Sequence, residues 1–77
     1  MKKVEVFGHG CSKCEFIAKR IMDVLEELNI EGKVEKITED SKIIERGIIL
    51  TPAVVVDGVL KCEGRIPTRD EIKNWLR

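Results

Sequence analysis

The stretch Gly8-His9-Gly10-Cys11-Ser12-Lys13-Cys14 constrains this chain more than any other. It joins a short apolar run, Val4 to Phe7, to a long helical pattern that begins near Ser12. Two cysteines three positions apart at a helix start share one turn. Their sulfurs can close a small disulfide, or they can hold one metal ion between them. Unpaired N–H groups and a partial positive charge at a helix N-terminus favour the thiolate of Cys11 over its thiol. Lys13 adds a second positive charge close by. The thiolate is the attacking species in disulfide exchange, so the stretch suits sulfur chemistry. Whether that sulfur meets another sulfur or a metal stays open at this point.

The rest of the chain reads as alternating strands and helices. Lys2 to Phe7 is rich in β-branched residues and is ended by Gly8 and Gly10, which predicts a first strand. From Ser12 to Asn29, Ile17, Ile21, Val24, Leu25 and Leu28 recur at the spacing of one buried helical stripe. Lys33 to Ile37 predicts a second strand, and strand–helix–strand implies a right-handed parallel crossover. Thr38 to Ser41 offer several N-caps for a short helix carrying Ile43 and Ile44 and stopped by Gly47. Ala53 to Val56 follow Thr51-Pro52 as nearly pure strand formers, and continuous apolar character predicts a central strand. Asp57-Gly58 is a two-residue hairpin signal, so Val59 to Cys62 should return antiparallel. Gly64 to Pro67 reads as loop. Thr68 and Glu71 form a capping box for a last helix with Ile72, Trp75 and Leu76 on its apolar face. The expected fold is therefore α/β, in the order βαβαββα, with a four-stranded mixed sheet and helices on both faces.

Composition narrows the function classes. The 77 residues predict a single domain, 1–77, able to bury one modest core. Apolar residues make up 43% and charged residues 36%, which fits a compact protein better than a disordered one. Lys plus Arg equals Asp plus Glu at 14 each, interspersed along the chain, so nothing points to nucleic acid. Neither a signal-peptide core nor a membrane-spanning run is present, and the expectation is a cytoplasmic monomer with no membrane association. Three cysteines are too few for a disulfide framework. In a reducing compartment a CxxC pair is more often catalytic or metal-binding than structural.

Gly10-Cys11-Ser12-Lys13-Cys14, Gly47-Ile48 ahead of Thr51-Pro52-Ala53-Val54-Val55-Val56-Asp57-Gly58, and Gly64-Arg65 carry a resemblance over essentially the whole chain. In this element order they resemble the thioredoxin fold, and within it the small thioredoxin- or glutaredoxin-like redox-active disulfide proteins. The resemblance implies a thiol–disulfide oxidoreductase without cofactor or resident metal, acting on protein disulfides and recharged by an upstream thiol reductase. Cys11 would be the nucleophile and Cys14 the resolving thiol. The Thr51-Pro52 bond would be cis beside them, exposing the Thr51 backbone to an extended substrate segment. By its own charge rather than by the resemblance, Lys13 could stabilise the thiolate or stand as a plain solvated lysine.

The chain departs from the family pattern at several places. Lys13 stands where thioredoxins have Pro, and no Trp precedes Cys11. Glu63-Gly64-Arg65 replaces the glycine-rich turn with Asp that glutaredoxins use for glutathione. Glu5 lies six residues before Cys11, the offset of a buried thioredoxin carboxylate, and could accept a proton from Cys14 or simply reach solvent. His9 could shuttle protons or stand by. Cys62 should share a face with Leu60 as a small buried hydrophobe, with a second redox or ligand role as the other reading. The rival from another class is a soft-metal carrier for Cu(I) or Zn(II), which the same CxxC pair suits. Such heavy-metal-associated domains run βαββαβ and usually carry Met two positions before the first Cys, where His9 stands here. They have no use for Thr51-Pro52, and topology favours the redox reading.

Overall fold

A computed structural model describes residues 2–8 and 12–77; the expectations placed on His9 and Cys11 lie outside the described residues. The elements are β1 (Lys2–Phe7), α1 (Ser12–Glu27), β2 (Gly32–Ile37), α2 (Asp40–Glu45), β3 (Ala53–Val56), β4 (Val59–Glu63) and α3 (Arg69–Leu76). The strands form one sheet in the order β2-β1-β3-β4. β1 runs parallel to β2 and antiparallel to β3, and β4 returns antiparallel along β3. The apolar strand β3 is thus central, as its sequence implies, and the sheet is mixed.

Strand alternation sorts the core into two layers. Val4 and Val6 of β1 join Val54 and Val56 of β3 on one face, covered by Cys14, Ile17, Ile21, Val24 and Leu25 of α1. Ile72 and Leu76 of α3 complete that layer. Ile17 and Ile21 are almost wholly buried, and each side chain so buried contributes about 2 kcal/mol. On the other face Phe7, Ala53 and Val55 pack with Ile43 of α2 and with Ile48. Helices therefore cover both faces. No helix among the described residues is long and apolar enough to cross a membrane.

Boundaries follow local chemistry. α1 was expected to reach Asn29 but stops at Glu27, because Asn29 takes a left-handed φ of 56°. Its N–H then bonds Glu26 O at 3.1 Å and that of Ile30 bonds Leu25 O at 2.9 Å, a Schellman closure. The N-cap of α2 is Glu39, which makes no side-chain capping bond, and of its two isoleucines only Ile43 is buried. Asp57 and Gly58 both have positive φ, 49° and 83°, the requirement of a type I′ hairpin turn. At α3 the capping box is complete: Thr68 Oγ1 accepts from Glu71 N at 3.2 Å, and Glu71 Oε1 accepts from Thr68 N at 3.1 Å. Arg65 adds two short bonds to the same carboxylate, at 2.7 and 2.6 Å.

One expectation about β4 fails. Simple alternation puts Cys62 and Leu60 on one face, but the register pairs Val54 with Cys62 and Val55 with Leu60. Adjacent residues of β3 point to opposite faces, so a bulge at Lys61 separates the two side chains. Cys62 enters the α1 layer, while Leu60 turns to the other face and stays 42% exposed.

Two expected outcomes follow from the ion pairs. The Arg65 guanidinium, helped by the Thr68 N–H, holds the Glu71 carboxyl down at about 2 from an ordinary 4.5. A depressed acid stabilises the fold above its unfolded pKa and loses that contribution as pH falls, here from 4.5 towards about 2. Denaturant titrations across that window should give a flatter pH dependence for Glu71→Gln than for the parent chain. On the α2 side of the sheet, buried Glu5 is gripped by Arg46 at 2.9 and 3.1 Å. Arg46→Ala strands that carboxylate and should cost about 3 kcal/mol in the same titrations, whereas Glu5→Leu with Arg46 intact should cost much less.

Candidate active site

The site is built where α1 begins over the end of β1. Cys14 lies in the first turn of α1 with 2% of its surface exposed, buried among the apolar residues of that layer. The helix approaches so closely that a Cβ on Gly8 would overlap Cys14 Sγ. Only a residue without a side chain fits there. Gly8 is itself anchored, donating its N–H to Ile37 O at 3.0 Å. Ser12 and Lys13 precede Cys14 on the helix and are exposed. Cys11, the expected nucleophile, lies outside the described residues.

The strand register brings the second expected element to the same end of the sheet. Phe7 pairs with Ala53, so the next positions outward are Gly8 on one strand and Pro52 on the other. The Thr51–Pro52 peptide bond is cis, and Pro52 is buried while Thr51 is half-buried. The segment leading to it is clamped by the end of β4. Gly64 donates its N–H to Pro52 O at 2.8 Å, and Glu63 Oε2 accepts the N–H groups of Ile49 at 3.2 Å and Leu50 at 3.3 Å. The side chains of Ile49 and Leu50 are left 88% and 58% exposed. Beside them a shallow depression of about 240 Å³ runs between α2 and the loop, lined by Asp40, Ile43, Ile44, Ile48, Ile49 and Thr51.

Two other candidates lie away from this chemistry. Glu5 is buried, yet alternation along β1 turns it to the α2 face, opposite the layer that holds Val4, Val6 and Cys14. Its carboxylate serves Arg46, whose guanidinium also lies 5.5 Å over the Phe7 ring. Cys62 is buried in the same layer as Cys14 and its Sγ donates to Arg65 O at 3.5 Å. Burial pushes its thiol pKa up, and the nearby carboxylates of Glu71 and Glu63 add to this against an opposing pull from Arg65. Cys62 is thus a protonated thiol near neutrality, the state least able to attack or bind metal.

Sequence reasoning missed the clamp formed by Glu63 and the packing role of Gly8. A glycine at a strand end carries some signal for close approach. A glutamate that turns back to accept amides from another loop carries none.

A family model described as a thioredoxin domain matches residues 2–77. A protein named thioredoxin from Methanothermobacter thermautotrophicus is 38% identical over 76 residues, spanning 99% of each chain. Another of that name, from Methanocaldococcus jannaschii, is 36% identical over 77 residues, spanning 100% of this chain and 88% of its own.

The Gly8–Cys14 contact yields a test by double substitution. Gly8→Ala should destabilise the chain by about 2 kcal/mol, because the added methyl must displace the sulfur or the start of α1. Adding Cys14→Ala removes the obstruction, so the pair should be more stable than the sum of the single changes. Additive losses would refute the contact.

Proposed function

The chain belongs to the thioredoxin family and is a thiol–disulfide oxidoreductase, and from that premise we propose that Cys11 and Cys14 are its reacting pair. The observation that carries the reading is the burial of Cys14 in the first turn of α1, against Gly8, at the end of the sheet where Thr51-Pro52 opens β3. A buried second sulfur suits a resolving thiol: it is kept from bulk solvent and competes only for the disulfide its neighbour forms.

The exchange proceeds in two displacements. The Cys11 thiolate attacks one sulfur of a protein disulfide; the substrate S–S bond breaks, a mixed disulfide forms, and the departing thiolate takes a proton. Cys14, once deprotonated, attacks the Cys11 sulfur. The Cys11–Cys14 disulfide forms, and the second substrate sulfur leaves as thiolate. Two electrons have passed to the substrate, and an upstream thiol reductase returns them. Lys13, two residues after Cys11 and one before Cys14, favours the thiolate by its charge. Thr51 offers its backbone to an extended substrate segment, with Pro52 closing the wall behind it. Among the described residues no hydrogen bond engages the backbone of Thr51, which leaves that edge available for pairing. The balanced charge of a single small domain supports a monomer.

A redox titration of metal-stripped protein in dithiol buffers tests the assignment. Two of the three thiols should disappear in one reversible step, and Cys11→Ser should abolish it. Cys14→Ser should accumulate a mixed disulfide with substrate. A protein that forms no disulfide yet is isolated with stoichiometric copper or zinc would overturn the redox pair in favour of a soft-metal carrier.

A further inference from the structure

We propose that Glu63 is a positioning residue for substrate, holding the Thr51 backbone in place through the amides of Ile49 and Leu50; this rests on the redox reading above. Glu63 sits opposite Ala53 at the end of β4. From there one carboxylate oxygen accepts two successive backbone N–H groups, at 3.2 and 3.3 Å. The next residue along, Gly64, grips Pro52 O at 2.8 Å. The loop is thus pinned on both sides of Thr51 by the last residue of β4 and the one that follows it.

This pinning has a cause beyond packing. Ile49 and Leu50 bury little of their side chains, so apolar contact does not hold this stretch, although a Cβ on Gly64 would sit only 3.3 Å from Leu50. A carboxylate accepting two successive amides adds an anchor where core contact is thin. The carboxylate also occupies the amides of Ile49 and Leu50, so an incoming strand finds the Thr51 edge and not its neighbours. A substrate must pair with a loop already in register, and the ordering cost is met before it arrives.

Two disulfides of different size separate positioning from general damage. Insulin, reduced with dithiothreitol as electron source, needs the backbone edge; the small aromatic disulfide dithiobis(nitrobenzoate) needs only the thiolate. Glu63→Ala should raise KM for insulin about tenfold with kcat within about twofold, and leave the reaction with the small disulfide within about twofold. Glu63→Gln keeps a carbonyl oxygen that accepts amides and should stay within about threefold of the parent on insulin. Glu63→Lys keeps a long side chain that cannot accept, and should repeat the alanine result even if the alanine variant fails to fold. Unchanged insulin kinetics in Glu63→Lys, or an equal loss on both disulfides, would overturn the proposal. A parent chain that reduces neither disulfide would instead refute the redox pair on which it rests.

Discussion

The approach of α1 to β1 at a residue without a side chain is the constraint on which the rest of this structure depends. The volume a Cβ would fill at Gly8 is taken by Cys14 Sγ. That contact sets the height of the helix start over the sheet, and the stripe Ile17, Ile21, Val24 and Leu25 then meets Val4, Val6, Val54 and Val56 in one continuous layer. If Cys14 is the resolving thiol proposed above, packing and chemistry share one atom here: the sulfur that closes the end of the core is also kept from water. A larger residue at position 8 would force a choice between a well-seated helix and a well-placed thiol.

The two faces of β1 divide the labour. One face sets Val4 and Val6 against α1 and α3. The other alternates a charge with an aromatic ring, Glu5 with Phe7, and Arg46 at the end of α2 answers both at once, by hydrogen bonds and by lying over the ring. The short helix α2 buries only Ile43 of its own residues. The ion pair and the neighbouring Ile48 therefore weigh heavily in seating it, and it is the helix that buries the fewest of its own residues.

Much of this was legible because its signals are local. The α1 stripe is a period, the Asp57-Gly58 turn is a pair of residues that tolerate positive φ, and the Thr68–Glu71 box spans a single turn. The central place of β3 also followed, since a continuous apolar run such as Ala53 to Val56 implies burial on both faces. What escaped depends on partners far along the chain or on irregularity. The bulge at Lys61 leaves no mark in composition, so the faces of Leu60 and Cys62 were mistaken for one. The burial of Glu5 requires Arg46, a residue outside its own strand and helix. The Glu63 clamp depends on where a loop returns.

The strand order has a consequence for the chain as it leaves the ribosome. β1, α1 and β2 form from the N-terminal half, yet the second edge of β1 is paired only by β3, and its first residues are tied to Asp57 across a separation of 54 positions. Until the second half has been made, a strand destined for the interior presents an apolar, hydrogen-bonding edge with nothing against it. Such an edge is a template for other chains. A nascent or truncated N-terminal half would therefore carry its cysteine motif beside an adhesive flank, and release from that hazard comes only when Val54 and its neighbours arrive.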